Sequence, residues 1–275
     1  MSAVAQQLFH LICTRDHDRA PDHHEAVFRH RYRSMPTFVA RFGGRLDFAG
    51  KTVLDVGSGL GGPAFYLAER GAGRVLGVDI VARDIQFART KLAGEFAALA
   101  DRVSFTQIRD LDDLGDATFD LIVSRDSFEH YADPAAILAA MLRHLAPGGR
   151  LAIGFGPLWK SPYGGHITYM TRLPWAHLLF PERVILRERR HFFPDQEASA
   201  FGEIVGGLNQ MTLARFYALL ARHRLETVSC RTNVSAHPLG RLFTLAGRLP
   251  LAREYATFNL YGIWRLGPDS LQDSD

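Results

Sequence analysis

Short apolar runs alternate with helical patterns from Lys51 onward, and this alternation limits the fold more than any other feature of the sequence. Strands that alternate with helices at this spacing need right-handed crossovers between parallel strands. The predicted strands cover residues 52–56, 74–78, 103–107, 119–123, 150–155, 225–234 and 255–266. The predicted helices cover residues 63–69, 82–99, 134–145, 212–223 and 239–249. The sequence therefore predicts an α/β fold with a doubly wound sheet.

The alternation is interrupted after Phe155. Residues 156–210 are rich in Pro, Gly and aromatic residues with little periodicity, so we expect a substrate-binding insertion or lid there. Residues 1–50 are predicted to form an N-terminal helical cap, either solvated or closed over the site with Tyr32 or Arg33 reaching it. Residues 51–155 and 211–268 then form the core that contains the sheet, which the motifs below identify as a Rossmann-like, cofactor-binding core.

The composition is that of a single folded α/β domain. Of 275 residues, 47% are hydrophobic and 22% charged. No window approaches the roughly 18 to 20 uninterrupted apolar residues of a membrane span. Residues 1–13 lack a basic leader and a cleavage site, so we expect a cytoplasmic protein. The two cysteines, Cys13 and Cys230, are too few for a disulfide framework or a four-thiolate zinc site.

The basic charge raises the question of a nucleic-acid-binding face, and the N-terminal histidines raise that of a metal site. The sequence predicts neither. The net charge is +3, but the arginine clusters are short and acids are interleaved with basic residues, unlike a basic nucleic-acid-binding face. Nucleic acid is therefore an unlikely partner. No acids lie at a clear metal-ligand spacing from the N-terminal histidines, so no metal is predicted. These histidines are His17, His23, His24 and His30.

Residues 57–62 form a glycine-rich turn, Gly-Ser-Gly-Leu-Gly-Gly, that follows the first strand and opens a helix. With Asp79 about 20 residues on, at the end of the next strand, the turn satisfies the dinucleotide pattern G-x-G-x-x-G. Asp55, however, lies two residues before Gly57, where its carboxylate would repel a pyrophosphate. S-adenosylmethionine carries a sulfonium and an ammonium group and no phosphate, so Asp55 favours it over NAD.

These segments resemble the motifs of the class I S-adenosylmethionine-dependent methyltransferases, in the order of that family. The matching segments are 53–62, 77–80, 109–111, 119–124, 145–151 and, ahead of a late helix, 208–212. The resemblance implies two final strands, the last antiparallel, which complete a seven-stranded, mostly parallel sheet.

The resemblance also implies roles for individual residues. Asp79 would hold the ribose hydroxyls, Ile80 would pack on adenine, and Asp110 would accept a hydrogen bond from the adenine amino group. The cofactor-binding residues expected on this basis are Asp55, Gly57, Ser58, Gly59, Gly61, Asp79, Ile80, Asp110, Leu111, Ser124 and Arg125.

Two histidines are candidates for the general base that a hydroxyl or ammonium acceptor requires. His130 follows the fourth strand, and some small-molecule members of the family use a histidine at this place as the base; Glu129 would orient it. The alternative is that His130 only shapes the cofactor pocket. His166 lies in the insertion, on an aromatic and glycine-rich loop that leaves the fifth strand, with Tyr163 as a hydrogen-bond partner. A structural role for His166 and its loop is the alternative.

The sequence thus predicts a methyltransferase that moves a methyl group from S-adenosylmethionine to an oxygen or nitrogen of a small organic metabolite and releases S-adenosylhomocysteine. The expected partner is this small-molecule acceptor, and a homodimer is an open alternative. An RNA methyltransferase, an NAD-dependent oxidoreductase and a non-catalytic binder on the same fold are the rival hypotheses.

Overall fold

One seven-stranded sheet forms the centre of the described chain, with the strand order β3-β2-β1-β4-β5-β7-β6. The computed structural model describes residues 2–13, 24–194, 197–204, 207–234 and 238–267. The strands are β1 (Thr52–Val56), β2 (Arg74–Asp79), β3 (Val103–Gln107), β4 (Phe119–Arg125), β5 (Leu145–Phe155), β6 (Leu225–Thr232) and β7 (Leu260–Leu266). Strands β1 to β5 pair in parallel, and β7 is antiparallel to both neighbours. The predicted fold class is confirmed.

Helices cover both faces of the sheet. They are α1 (Ser2–Ile12), α2 (His24–Arg33), α3 (Met35–Arg41), α4 (Gly62–Glu69), α5 (Ala82–Ala93), α6 (Pro134–Arg143), α7 (Ala176–Leu179), α8 (Glu182–Arg189), α9 (Leu213–Leu220), α10 (Pro238–Ala246) and α11 (Pro250–Ala256). One apolar cluster joins α2, α3, α4 and α5 to the sheet, and a second joins α6 and α9 to it. No helix in the described ranges is long and apolar enough to cross a membrane.

The central position of β1 explains its uninterrupted apolar sequence. Val53 pairs with Val75 of β2 on one side and with Leu121 of β4 on the other. Because helices cover both faces, Val53, Leu54 and Val56 are all buried. A strand buried on both faces shows no alternation, which is why it was recognisable as a short apolar run.

Several predicted boundaries are wrong, and each error has a local cause. The helix predicted at 82–99 ends at Ala93, where Gly94 follows, and a separate short 3-10 helix spans Ala97–Leu99. Strand β5 begins at Leu145 rather than at 150. The last strand begins at Leu260 instead of 255, because Pro250 starts helix α11 in the preceding segment.

The three N-terminal helices pack in two different places. Phe28 of α2 contacts Phe65 of α4, with ring centroids 6.0 Å apart, so α2 covers the first half of the sheet. Helix α1 instead packs on the insertion, where Phe9 meets Phe180 at 4.9 Å. The His10 ring also lies 2.7 Å from the buried carboxylate of Glu188 on α8. Helix α1 and the insertion thus share an apolar cluster of their own.

The aromatic packing beneath α4 gives a stability prediction. Phe65 is fully buried and stacks on Phe96 with ring centroids 4.1 Å apart. Phe65→Ala should lower the free energy of unfolding by about 3 to 5 kcal/mol, because it removes this contact and leaves a cavity. Leu11→Ala, at a side chain that is 78% exposed, is the control and should change stability by less than about 0.5 kcal/mol. Urea unfolding measures both; equal effects would contradict the packing.

Candidate functional site

The glycine-rich turn after β1 is closed by backbone hydrogen bonds. The N–H groups of Gly57 and Ser58 both donate to the carbonyl of Val78, at 2.9 and 3.0 Å. Gly57 has a φ of +75°, and a Cβ on it would lie 2.5 Å from Ser127 Oγ and 2.8 Å from Ser127 Cβ. The first glycine is therefore required both by its backbone conformation and by the loop that follows β4.

Gly59 and Asp79 meet at the open side of this turn. The Gly59 N–H donates to Asp79 Oδ2 at 2.8 Å, and the Val81 N–H donates to Oδ1 at 2.9 Å. A Cβ on Gly59 would have no described atom within 4 Å. Each Asp79 oxygen keeps a further lone pair, and the adjacent Ile80 side chain is 68% exposed. This corner can accept hydrogen bonds from a diol beside an apolar surface.

Asp55 is the most unusual group of the site. Its carboxylate is fully buried, and neither oxygen has a hydrogen bond of normal geometry among the described residues; the Ala64 N–H lies only close enough to lower its pKa slightly. Burial raises its pKa to about 7, an effect that the charge of Arg125 partly offsets and that of Asp79 reinforces. A buried carboxylate without a partner is costly, and a cationic ligand would relieve that cost.

Three of the other predicted cofactor-binding residues are buried around the turn and β4. Ser58 Oγ is buried and has no partner within the described ranges. Ser124 Oγ lies 2.9 Å from the Tyr131 hydroxyl, which donates to the Val56 carbonyl at 3.1 Å. The predicted Gly61 caps α4 with a φ of +86°.

Arg125 connects β4 to the N-terminal helices. Its Nη1 donates to the Arg31 carbonyl at 2.8 Å, and its Nη2 donates to Ser34 Oγ at 2.6 Å. The guanidinium also lies over the Phe38 ring, 5.2 Å from its centroid. These contacts make Arg125 an anchor between the sheet and α2 and α3.

Asp110 and Leu111 lie after β3 and differ in exposure. Asp110 is exposed, and its side chain accepts a hydrogen bond from the Asp112 N–H at 3.0 Å, as the cap of a short 3-10 helix. Leu111 is buried in the apolar core. The Asp110 carboxylate has lone pairs left for a ligand. Leu111 is buried and could only form part of the apolar core beneath a bound ligand.

The loop after β4 carries His130, whose Nδ1 lies 2.7 Å from the Gly207 carbonyl. Because a carbonyl only accepts, we assign the proton to Nδ1, which leaves Nε2 with a bare lone pair. The prediction that Glu129 orients His130 is therefore corrected: Gly207 does so. Glu129 is itself buried, and burial raises its pKa to about 8, an effect that its own backbone N–H and that of Gly156 partly offset.

The structure brings the second candidate base, His166, next to the first. The two imidazole rings have centroids 5.4 Å apart and are nearly perpendicular. Burial, followed by the neighbouring His130, lowers the pKa of His166 to about 4, and its Nε2 has no partner in the described chain. Tyr163 accepts a hydrogen bond from the His166 N–H through its backbone carbonyl at 3.0 Å, while its side chain is exposed.

Two contributors were not assigned from the sequence. Asn209 donates from Nδ2 to the carbonyls of Phe128 and Tyr131 at 2.8 and 2.9 Å, and thereby fixes the loop that carries His130. Arg31 of α2 lies close enough to Asp55 to lower the pKa of its carboxyl. The signal for Asn209 was its place in the segment 208–212, which resembles the late segment of the family.

Tyr32, one of the two N-terminal residues offered as reaching the site, has another partner. The hydroxyl of Tyr32 donates to the carboxylate of Glu69, which directs it to α4. His17 and His23 lie outside the described residues. The described part of the chain contains no group of three or more His, Cys, Asp or Glu side chains arranged to hold a metal.

Comparison with known proteins supports the same interpretation of these motifs. Residues 54–153 match the family model described as a methyltransferase domain. Over these residues the chain is similar to that family. The matched residues include the glycine turn, Asp79, Asp110 and the loop that carries His130.

The curated relatives are similar over this domain and share only part of their length with the chain. Phosphoethanolamine N-methyltransferase 1 of Triticum aestivum is 35% identical over 133 residues, which are 47% of this chain and 26% of the relative. The ubiquinone biosynthesis O-methyltransferase of Neisseria meningitidis is 36% identical over 122 residues, 43% of this chain and 49% of the relative. The chain thus spans a quarter to a half of the length of these two relatives.

Solved structures share the fold over most of the chain. Magnesium protoporphyrin IX methyltransferase from Synechocystis with bound SAH has a TM-score of 0.52 at 17% identity, over 91% of this chain and 90% of that one. The [4+2]-cyclase SpnF has a TM-score of 0.53 at 19% identity, over 86% and 80%. Since the fold also carries a cyclase, the chemistry has to be argued from the site.

The turn gives a matched pair of glycine substitutions. Gly57→Ala should lower the free energy of unfolding by about 2 to 4 kcal/mol, because it combines a positive φ with a collision against Ser127. Gly59 also has a positive φ, of +49°, but the methyl group of Gly59→Ala would have no described atom within 4 Å. It should cost only about 1 kcal/mol. Thermal unfolding of both variants checks this order, and the reverse order would contradict the interlocked loops.

Proposed function

We propose that this chain is an S-adenosylmethionine-dependent methyltransferase that acts on an oxygen or nitrogen of a small organic acceptor. The observation that carries the proposal is the buried carboxylate of Asp55, whose two oxygens have no hydrogen bond of normal geometry in the described chain, beside the glycine turn. An ammonium or sulfonium ligand would supply the missing charge, whereas a pyrophosphate would add a second anion.

The residues around the turn fit this cofactor. Asp79 would accept the ribose hydroxyls on its remaining lone pairs, with the exposed Ile80 against the adenine ring. Gly59 leaves room for the ligand because no side chain fills the space beside it. Asp110 would accept from the adenine amino group while it caps its own helix. S-adenosylmethionine supplies an electrophilic methyl group and leaves as a neutral thioether that needs no acid.

The chain must then align the acceptor and remove its proton. His130 suits the task, because the Gly207 carbonyl holds its Nδ1–H and leaves Nε2 as an acceptor. The neighbouring His166 stays neutral at physiological pH, since burial lowers its pKa to about 4. We assign His130 as the base and His166 as the group that accepts a second hydrogen bond from the acceptor molecule.

The nature of the acceptor is supported by the relatives and by the insertion. The relatives named above are an N-methyltransferase and an O-methyltransferase, so the proposal covers both atoms. The insertion between β5 and α9 forms an apolar cluster with α1 and carries His166, which suits an enclosed small-molecule site.

Donor binding tests the proposal through the charge of Asp55. Calorimetry should detect S-adenosylmethionine and S-adenosylhomocysteine binding but no NADH binding. Because the carboxylate of Asp55 is the form that attracts a cation, and its pKa is about 7, S-adenosylmethionine affinity should fall roughly tenfold from pH 8 to pH 6. Binding in that range should release a proton.

Asp55→Asn is the matched control. It removes the charge while it keeps the shape, so the pH dependence due to Asp55 should disappear and donor affinity should fall. The variant should also be more stable at pH 8, because a carboxyl whose folded pKa is raised opposes folding progressively as pH rises from about 4 through 7. Unchanged donor affinity in Asp55→Asn, or binding of NADH alone, would overturn the proposal.

The assignment of the base is tested with His130→Asn. The Asn amide can still donate to the Gly207 carbonyl but has no basic lone pair, so kcat should fall by about 10²- to 10⁴-fold with donor affinity unchanged. The assay uses labelled methyl and the acceptor found in a screen of phenols, carboxylic acids and amines. His166→Asn should raise KM more than it lowers kcat. If neither variant loses turnover, proton removal by histidine is wrong and positioning alone drives transfer.

A further inference from the structure

The segment between β6 and β7 exposes an unusual amount of apolar surface. Five large apolar side chains in 14 residues of α10, α11 and their connection are between 46% and 93% exposed. We call them the leucine patch: Leu242, Leu245, Leu249, Leu251 and Tyr255. Scattered exposed apolar residues are normal, but five of them within one short segment mark a candidate interaction surface.

Contacts on the opposite side of the two helices hold the patch outward. Phe243, next to Leu242, packs on Phe258 with ring centroids 4.6 Å apart. Glu254 of α11 accepts a hydrogen bond from the Ala214 N–H at 2.6 Å, at the start of α9. Leu242 and Leu245 are three residues apart on α10 and therefore lie on the same side, away from these anchors. The exposure is thus a property of the packed fold.

The charges around the leucine patch are almost all positive. Residues 238–256 contain three exposed arginines, Arg241, Arg248 and Arg253, and one acid, Glu254. That acid already has a neighbour in Lys160, 4.0 Å away. An apolar face bordered by arginines is the pattern of helices that lie in the surface of an anionic bilayer.

We propose that the α10–α11 surface binds anionic lipid membranes, with the leucine patch in the interface and Arg241 and Arg248 on the headgroups. Arg253 instead lies over the Tyr217 ring of α9, 5.6 Å from its centroid. A second copy of the chain is a poorer occupant, because a twofold contact would bring the arginine borders of both copies together. Helix α1 also exposes Val4, Leu8 and Leu11, but residues 2–13 contain no Lys or Arg, so charge favours the α10–α11 surface.

The surface adjoins the insertion. Lys160 Nζ lies 5.8 Å from the centroid of the Tyr255 ring, and the Lys160 carbonyl accepts a hydrogen bond from Trp175 Nε1 at 3.1 Å. The loop from β5 that leads to His166 therefore begins beside the leucine patch. Membrane binding would hold this loop close to the lipid surface, which suits an acceptor that partitions into lipid.

Vesicle co-sedimentation of the full chain tests the proposal. The protein should bind phosphatidylcholine vesicles that contain phosphatidylglycerol. Its partition coefficient for pure phosphatidylcholine vesicles should be lower by about tenfold or more. Added salt should weaken the binding. Arg241→Glu/Arg248→Glu and Leu242→Asp/Leu245→Asp should each lower the partition coefficient by about tenfold or more.

Leu8→Asp/Leu11→Asp on α1 is the matched control, with the same spacing and similar exposure, and it should bind vesicles like the unchanged protein. Thermal unfolding verifies that every variant is folded. Equal binding to both vesicle types, or an equal loss in the α1 control, overturns the proposal. The absence of vesicle binding also overturns it, and a dimer that dissociates in Leu242→Asp/Leu245→Asp would then show that the patch is an interface between copies.

Discussion

The candidate site depends on the point between β1 and β4 at which the order of the parallel strands across the sheet reverses. From β1 the chain moves outward to β2 and β3, and then crosses back to β4 on the other side of β1. The loops after β1 and β4 therefore leave the sheet in opposite directions and form a crevice at its carboxyl edge. Here the two loops also interlock, because Ser127 occupies the place of a Gly57 side chain and the Tyr131 hydroxyl donates to Val56.

Asp55 lies at this crossing, and its burial has a consequence for binding. An unpaired carboxyl inside a protein loses its hydration without gaining a partner, and its raised pKa of about 7 expresses that loss. Arg125 would be its natural partner, but the guanidinium is held by Arg31 and Ser34. The fold thus keeps the neighbouring cation occupied elsewhere and, in the proposed function, leaves Asp55 for a cationic ligand. Part of the stability lost in the free protein would be recovered as affinity for a cationic donor.

The elements predicted best from the sequence are those whose signal is local. Strand β1 is recognisable because both of its faces are buried. A motif spacing of 20 residues assigned Gly59 and Asp79 to one site, where the structure joins them by a hydrogen bond. The contacts that were missed join residues far apart in the chain. His130 contacts Gly207, which is 77 residues away in the sequence, and Arg125 contacts Ser34, which is 91 residues away. Neither spacing leaves a periodic trace, so sequence analysis assigned the orienting role to the adjacent Glu129 and missed the contacts of Arg125 with the N-terminal helices.

The same long-range contacts make the insertion part of the proposed catalytic machinery as well as a cover for it. The segment 207–211 fixes the loop after β4 through Asn209 and orients His130 through Gly207. It continues from the cluster that α1 and α8 form, in which Leu208 is buried. In the proposed reaction, the direction of the bare Nε2 of His130 therefore depends on packing contributed by the first helix of the chain. Changes in the insertion that adapt the enzyme to a new acceptor would also shift the base, which ties acceptor choice to proton removal.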